Sequence, residues 1–376
     1  MLPSLGGLSE DKKMGELRVS DKKITIKEIA NLAGVSVGTV HSALHNKPGI
    51  NEKTRERVLK VAEENNYRVN AAAAALKRKP KKVVVAVPQL DSVNRYYFRA
   101  LWDALEEYEN RIYDSNISFV KVPYMENDPK TGEILLGLAA EDEIAGVISF
   151  STYLSAEGRE ALWDFFHRGK PVVLIGEEDS KDRALCTVTP DYEMLGRVAG
   201  ELLMRELKSS GKIVICAGEE TNFSHYGVVN GIVDFFQKNH LPNQIIRKHY
   251  FRDAEDHYGE LLNILKPQEE LAACVAVTAR ESYLLGRALQ ESQLAGKILA
   301  IGSDIFEENI TFLEQEVFTN LLNKNPYIQM RMALKNMESF LATGIRPEKS
   351  VVYVNTEVVF KSSLPMYKNE EKNRLL

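Results

Sequence analysis

The sequence predicts an N-terminal all-α helix-turn-helix domain followed by a larger α/β core of two lobes. Short, capped helical patterns occupy the first part of the chain, and from Val83 onward apolar β-type runs alternate with amphipathic stretches. The charge divides at the same point, because residues 22–82 carry a net +9 and residues 83–376 a net −13. A compact cationic segment ahead of an anionic body is typical of a nucleic-acid-binding module joined to a second function.

The domain organisation follows from these patterns. A chain of 376 residues is long enough for two or three domains. The predicted domains, in chain order, are a disordered tail, the helix-turn-helix domain, a hinge helix with its linker, and the core: 1–21, 22–69, 70–82 and 83–376. The core is expected to comprise a first lobe at about 83–181 and 314–348 and a second lobe at about 182–313 and 349–376.

Composition and segment type exclude several classes of protein. There is no apolar run of about 18 residues, so no membrane-spanning helix and no membrane partner are expected. The chain start lacks the basic flank and apolar block of a secretory signal. Cys186, Cys216 and Cys274 match no zinc, redox or disulfide spacing. These observations predict a reduced, cytoplasmic protein.

The basic head begins with a helix whose two ends can be assigned. Thr25 and Glu28 have the spacing of a capping box, in which each side chain satisfies the other residue's amide. The helix is expected to end at Gly34, a residue type that favours left-handed helix termini. Ser36 then caps a second helix, and so short a joint makes the two helix axes cross steeply, as in a helix-turn-helix.

The second helix, Val37 to Leu44, has one apolar and one polar face. Val40, Ala43 and Leu44 turn toward the first helix. In a helix-turn-helix, the N-terminal half of this helix enters the major groove. The residues left on its outward side are Val37, Gly38, His41 and Ser42.

A hinge is predicted between head and core. Asn70 can cap a helix through the five alanines at 71–75, but so short a helix is unstable in isolation. It should form only when supported, and Leu76 could then wedge between base steps of the minor groove. A flexible linker with an incidental leucine is the alternative.

Residues 24–79 resemble the head of the lactose-repressor (LacI) family of bacterial transcription regulators. The matching motifs are Ala33-Gly34-Val35-Ser36, Thr39-Val40, Asn46-Lys47-Pro48-Gly49, Thr54-Arg55, Val58-Leu59, Tyr67 and Asn70. The remainder resembles that family's effector-binding core, a type I periplasmic-binding-protein fold. The resemblance implies a bacterial, nucleoid-associated homodimer that binds a nearly palindromic double-stranded operator.

Carried over by position, the resemblance assigns DNA contacts. Phosphate contacts are implied for Thr25, Ser36 and Thr39, base-edge contacts for Val37, Gly38 and Ser42, and a backbone or base contact for His41, with Asn46 also on the DNA side. The hinge residues are Asn70, Ala73 and Leu76. The chain has His41-Ser42 where the family often has Ser-Arg. It therefore lacks an arginine for a bidentate contact with guanine, and the operator sequences of relatives do not predict its own.

The core should bind a small-molecule effector between its lobes. Ligands in open α/β sheets bind beyond the carboxyl ends of the strands. The candidates that follow strands in the first lobe are Tyr96, Tyr97, Phe98, Phe150, Ser151 and Glu177. Those in the second lobe are His225, Tyr226, Arg280 and Asp304. Aromatic faces stack on sugar rings, while carboxylates and guanidinium groups pair with hydroxyls.

The resemblance assigns ligand hydroxyls to Asp304, but two other family positions differ. The family's arginine position is occupied by Val228, and the asparagine of its Asn-Asp pair is Arg280. Arg280 could favour a carboxylate or phosphate on the ligand, or it could form a structural ion pair with Glu281. The expected effector is therefore a sugar or a sugar-derived metabolite such as a sugar acid.

No catalytic, metal-binding or cofactor motif stands out in the sequence. The expected function is thus a non-enzymatic, ligand-responsive transcriptional regulator, with no cofactor and no metal. It is predicted to be a repressor, although an activator or a co-repressor-dependent regulator is also consistent. The competing hypotheses are a cytoplasmic or periplasmic sugar-binding protein and an α/β enzyme with a fused head.

Overall fold

The computed structural model divides into two compact units, Met1–Ala74 and Ala75–Leu376. The residues that it describes are 24–44, 49–65, 67, 80–91, 95–112, 116–177, 183–207, 211–249, 257–266 and 270–368. The predicted disordered tail lies outside these residues, as do four predicted DNA contacts: Asn46, Asn70, Ala73 and Leu76. The predictions made for them stay predictions.

The described part of the first unit contains three helices around a small apolar core. They are α1 (Ile26–Ala33), α2 (Val37–Leu44) and α3 (Glu52–Glu64). Gly34 ends α1 with φ +62°, a left-handed conformation that glycine adopts without strain. The core residues, contributed by all three helices, are Ile29, Ala30, Ala33, Val40, Ala43 and Val58. The predicted helix-turn-helix is confirmed.

The second unit begins with a parallel α/β segment. Its elements are β1 (Lys81–Pro88), α4 (Arg95–Arg111), β2 (Ile117–Tyr124), α5 (Lys130–Ala140), β3 (Ile144–Ser149), α6 (Ala156–His167), β4 (Val172–Ile175) and β5 (Cys186–Pro190). The inner strands β1, β3 and β4 are almost continuously apolar and buried, because helices cover both faces of the sheet there, whereas the edge strand β2 is partly exposed.

A second α/β segment follows. Its elements are α7 (Tyr192–Glu206), β6 (Lys212–Gly218), α8 (Phe223–Lys238), β7 (Ile245–His249), α9 (His257–Leu265), β8 (Leu271–Ala276), α10 (Ala279–Glu291), β9 (Leu299–Ser303), α11 (Glu307–Glu314) and β10 (Asn320–Asn323). The closing elements are α12 (Pro326–Thr343), β11 (Val351–Val354), β12 (Glu357–Phe360) and α13 (Pro365–Lys368).

The strands form two six-stranded sheets, one in each lobe. Their orders are β11-β5-β4-β3-β1-β2 and β12-β10-β9-β8-β6-β7. Among the residues that the structure describes, the strand pairings are parallel except the one between β10 and β12. The predicted fold class, a two-lobed periplasmic-binding-protein-like core after a helical head, is confirmed.

The predicted lobe boundaries are wrong at three strands. β5 and β11 belong to the first sheet although both were expected in the second lobe, and β10 belongs to the second sheet although it was expected in the first lobe. The chain passes between the lobes after Pro190, after Asn323 and after Val354. β10 and β11 have four residues each, and such short runs do not indicate which sheet they complete.

Two helices of the second lobe pack at unusually close range. A Cβ built on Gly196 of α7 would lie 2.1 Å from the Val228 carbonyl oxygen of α8, and one built on Gly231 would lie 2.1 Å from the Glu193 carbonyl oxygen. The absence of side chains at these two positions lets the helices touch. This contact holds together one face of the second sheet.

Within the described part of the chain, no helix combines the length and apolar character needed to cross a bilayer.

Candidate functional site

The capping box predicted at the start of the head is present. Thr25 Oγ1 accepts a hydrogen bond from the Glu28 amide at 3.3 Å, and Glu28 Oε2 accepts from the Thr25 amide at 2.6 Å. The Thr25 hydroxyl also donates to Glu28 Oε2 at 2.8 Å. Thr25 is exposed, but a phosphate that reached its hydroxyl or amide would have to replace this carboxylate.

The N-terminus of α2 is capped by Ser36, whose Oγ accepts from the Thr39 amide at 3.1 Å. The two hydroxyl oxygens of Ser36 and Thr39 lie 2.9 Å apart. The outward positions are exposed at Ser36, Val37, Gly38 and His41 and half-buried at Thr39 and Ser42. A helix N-terminus with hydroxyls and free amides is a ready site for a phosphate.

The core contains a cleft between its lobes, at the carboxyl ends of the strands. Seven of the predicted effector residues line it: Tyr96, Tyr97, Phe98, Phe150, His225, Arg280 and Asp304. Ser151, Glu177 and Tyr226 are not among its lining residues. The lining residues that the sequence did not indicate are Glu126, Tyr153, Tyr192, Gly218, Glu219, Ser224, Thr278, Ala279, Glu281 and Lys324.

One wall of the cleft is aromatic. The Phe98 and Phe150 rings meet edge to face at 5.1 Å, and Phe150 stacks on Tyr153 at 5.8 Å with 8° between the planes. The Tyr97 ring lies against Phe98 at 5.3 Å, and its hydroxyl accepts from Gln329 at 2.9 Å. Such a wall presents apolar ring faces together with a few fixed polar atoms, which suits the stacking of a sugar ring.

Tyr96 points differently from its neighbours and forms part of an inter-lobe clasp. Its ring stacks on Tyr283 at 5.0 Å and meets Phe306 at 4.8 Å, both in the second lobe. Beside it, Arg95 bonds Glu308 across the lobes at 2.7 Å. We call these five residues the inter-lobe clasp. Their contacts must change if the lobes open.

Glu177 positions a turn beneath the cleft. It accepts hydrogen bonds from the Ser151 amide and, at 2.5 Å, from the Ser151 hydroxyl. Burial raises the pKa of Glu177 to about 7, although the hydrogen bonds from Ser151 and Thr152 act in the opposite direction. Ser151 and Glu177 are therefore partners of each other, and they hold the backbone that carries Phe150 and Tyr153.

His225 enters the cleft as a neutral donor. Its Nδ1 accepts a hydrogen bond from the Glu219 amide at 3.0 Å, so the ring proton resides on Nε2. Burial, and secondarily the charge of Lys324, lower the pKa of His225 to about 3. Its neighbour Tyr226 is 52% exposed, because adjacent helical positions face different directions.

Asp304 forms a buried ion pair with Lys324, a residue that sequence reasoning missed. Lys324 Nζ lies 2.6 Å from Asp304 Oδ2, and the two side chains are 8% and 1% exposed. Asp304 Oδ1 accepts from the Lys324 amide at 3.1 Å, and Oδ2 accepts from the Ser303 hydroxyl at 3.0 Å. Both carboxylate oxygens are thus already hydrogen-bonded within the protein, at the floor of the cleft.

Arg280 lies at the N-terminus of α10, which Thr278 caps by accepting from the Glu281 amide at 3.0 Å. Burial raises the pKa of Glu219, and the charge of Arg280 opposes that rise. Glu281 is 1% exposed, and its Oε2 lies 3.0 Å from His257 Nε2. The charge of Arg280 thus acts on Glu219.

The fold and these sites define a class of protein: a helix-turn-helix head joined to a two-lobed, cleft-bearing core. The family described as "Bacterial regulatory proteins, lacI family" matches residues 25–70, and the family described as "Periplasmic binding protein domain" matches residues 167–344. The head therefore matches the lacI family of bacterial regulatory proteins, and the resemblance inferred from the sequence is confirmed.

Among curated proteins, the chain is similar to catabolite control protein A of Staphylococcus aureus, with 25% identity over 221 residues, 58% of this chain and 63% of that protein. It is 30% identical to catabolite control protein A of Streptococcus mutans over 200 residues, 53% of this chain and 56% of that protein. The matches thus span less than two thirds of the length of these relatives.

Two solved structures share the fold of the core. A glucose-galactose binding protein from Geobacillus stearothermophilus superposes with a TM-score of 0.65 at 20% identity, covering 77% of this chain and 100% of its own. A periplasmic solute binding protein from Actinobacillus succinogenes with bound D-allose gives 0.66 at 18% identity, covering 76% of this chain and 100% of its own.

Proposed function

We propose that this protein is a cytoplasmic transcriptional repressor whose hold on a DNA operator is controlled by a sugar or sugar-derived effector. The observation that carries the proposal is the presence, in one chain, of a lacI-family head and a two-lobed cleft with an aromatic wall. The sugar-binding neighbours share the core fold, and the relatives named as control proteins match 58% or less of the chain at 25–30% identity.

The DNA-binding element of the proposal is the N-terminal half of α2. Val37, Gly38 and His41 are exposed there, and the Ser36 cap supports the helix end where phosphate would bind. We expect a homodimer, in which two such helices occupy successive major grooves of a nearly palindromic site. Ser42, half-buried in the free chain, would lie at the edge of this contact.

The effector would act by changing how the lobes are arranged. The inter-lobe clasp joins the lobes, and the aromatic wall lines the cleft between them. A ligand that binds one arrangement of the lobes better than another therefore shifts the equilibrium toward that arrangement. Ligand binding then changes operator affinity by the same factor as operator binding changes ligand affinity, because one coupling free energy links the two sites. We expect release of DNA on ligand binding; an increase in affinity would identify a co-repressor-dependent regulator instead.

The test begins with operators selected from random duplexes by the full-length protein. Fluorescence anisotropy then measures affinity across a salt series, without sugar and with D-glucose, D-galactose or D-allose. A regulator should lose affinity with a log–log slope of about −0.9 per phosphate contacted. Enrichment of no sequence, or no preference for a selected duplex over a scrambled one, would contradict the proposal.

Gly38→Ala is the variant that tests which operator sequence the protein prefers. A Cβ at this position meets only Ser36 Oγ, at 3.6 Å, so the head should fold normally, and alanine stabilises a helix by about 1 kcal/mol over glycine. The new methyl group would face the bases. We expect altered operator preference with unchanged non-specific binding; unchanged preference would remove Gly38 from the reading surface.

We expect the protein to bind its sugar without converting it. A sugar incubated with the protein should be recovered chemically unchanged, and turnover detected by chromatography would favour the fused-enzyme alternative. Size measurement by light scattering, free and with operator, tests the homodimer: two chains per duplex are expected, and one chain per duplex would contradict it.

A further inference from the structure

The cleft carries more negative than positive charge. Its lining residues include four carboxylates, Glu126, Glu219, Glu281 and Asp304, and two cations, Arg280 and Lys324. His225, which also lines it, is neutral because burial and Lys324 depress its pKa. A partly desolvated cleft with this imbalance favours a ligand that brings positive charge.

One of the two cations is fully used by the protein. The three protons of the Lys324 ammonium go to Asp304 Oδ2 at 2.6 Å, to the Val277 carbonyl oxygen at 3.0 Å and to the Ser303 hydroxyl. An ammonium group has three donors, so Lys324 has none left for a ligand. The pair with Asp304 is internally neutral, which leaves three carboxylates and one guanidinium to set the charge that a ligand meets.

Glu281 supplies an independent observation. Its side chain is 1% exposed, and Oε2 is paired with His257 Nε2 at 3.0 Å. Its other oxygen, Oε1, is buried and accepts no hydrogen bond from the described residues. A buried acceptor without a donor is costly, and a charged donor is the strongest way to satisfy a carboxylate. Glu281 lines the cleft, so a ligand can supply that donor.

We propose that the effector is a small hydroxyl-rich molecule bearing a protonated amine, an amino sugar rather than a sugar acid, with its ammonium group held at Glu281. The inference rests on the proposed ligand-binding role of the cleft. Glu219, on the same side of the cleft at the end of β6, adds a second carboxylate. The aromatic wall of Phe98, Phe150 and Tyr153 would face the ring of the sugar.

The test is calorimetric titration of the full-length protein at a pH where the amine is protonated. The probes are D-glucosamine, D-galactosamine and D-mannosamine, each compared with its parent hexose, its N-acetyl derivative and, for the first two, the uronic acid. We expect at least one amine to bind about tenfold or more tighter than its parent, with the N-acetyl derivative losing that gain and the uronic acid weakest. A uronic acid or a neutral hexose that binds as well as its amine would overturn the proposal, as would the absence of binding by all three amines.

Glu281→Gln is the diagnostic variant, because it keeps the size of the side chain and removes its charge. It should reduce the preference for the best amine over its neutral parent about tenfold. If Glu281→Gln does not fold, Glu219→Gln should show a reduced preference for the amine in the same titration. Retention of the full preference in the folded variant would overturn the proposal.

Operator binding in the absence of sugar separates this inference from the proposed function. A protein that binds DNA but ignores amines refutes the ligand class alone. A protein that binds amines but no DNA refutes the regulatory function alone.

Discussion

Replacing Lys324 by methionine should strongly destabilise the core. The substitution keeps an unbranched apolar stem but removes the ammonium that lies 2.6 Å from Asp304 Oδ2. It also withdraws the donor to the Val277 carbonyl oxygen. Asp304, 1% exposed, would be left as a buried charge whose remaining donors are the Ser303 hydroxyl and the Lys324 amide.

The magnitude follows from burial. Removing one partner of a buried ion pair typically destabilises by about 3–5 kcal/mol, because the other charge stays desolvated and uncompensated. The side chains of Lys324 and Asp304 are 8% and 1% exposed, so water cannot solvate the carboxylate that remains. The double variant Asp304→Asn/Lys324→Met removes both charges. It should recover much of the loss, since neither charge is then left alone.

Urea denaturation of the full-length protein measures these changes. The two tryptophans, Trp102 and Trp163, both lie in the core, so their fluorescence reports on the core and not on the head. Far-UV circular dichroism is the second probe, and coincident transitions would justify a two-state treatment.

Lys238→Met is the matched control. Lys238 pairs with Asp234 at 2.8 Å along the surface of α8, with side chains 72% and 39% exposed. Exposed pairs of this kind contribute less than about 1 kcal/mol. If Lys324→Met cost no more than this control, or if the double variant were no more stable than Lys324→Met, the argument from the buried pair would be refuted.

Three further predictions rest on single contacts. Gly196→Ala should destabilise the core by about 1–3 kcal/mol or more in the same urea assay, since its methyl carbon would lie 2.1 Å from the Val228 carbonyl oxygen; an unchanged midpoint would contradict the close packing. Ser36→Ala removes a helix cap and should cost the head about 1 kcal/mol, seen as faster amide exchange across α2 than in the unmodified protein. His225 is held neutral with a pKa of about 3, whereas the unfolded chain takes up that proton below about 6.5, so stability should fall as the pH drops from 6.5 toward 3. In His225→Asn, whose amide oxygen can still accept from Glu219, that loss should be smaller; equal losses would show that His225 does not titrate on unfolding.

The sequence predicted the architecture well because its strongest signals are local. The apolar runs that begin at Val83 correspond to strands, and the caps at Thr25 and Ser36 start their helices where expected. Hydrophobic burial and helix capping depend on near neighbours in the chain, so they can be read from a single sequence.

The cleft was harder to predict because its chemistry depends on contacts between distant residues. Lys324 follows β10, a four-residue strand without a clear pattern, and it pairs with a carboxylate twenty positions earlier. Adjacent residues of one helix also have different surroundings: Tyr97 lies in the aromatic wall, whereas Tyr96 belongs to the inter-lobe clasp. No periodicity tells which of two neighbouring tyrosines crosses to the other lobe.

The three passages of the chain between lobes affect how the protein is made. The edge strand β11, which pairs with β5, is supplied by Val351–Val354, more than 150 residues after its partner. During synthesis, the β5 edge of the first sheet therefore lacks its partner strand while nearly the whole second lobe emerges from the ribosome. Neither lobe can be expressed as an uninterrupted fragment that contains all its strands, so dissecting them requires a permuted or spliced gene.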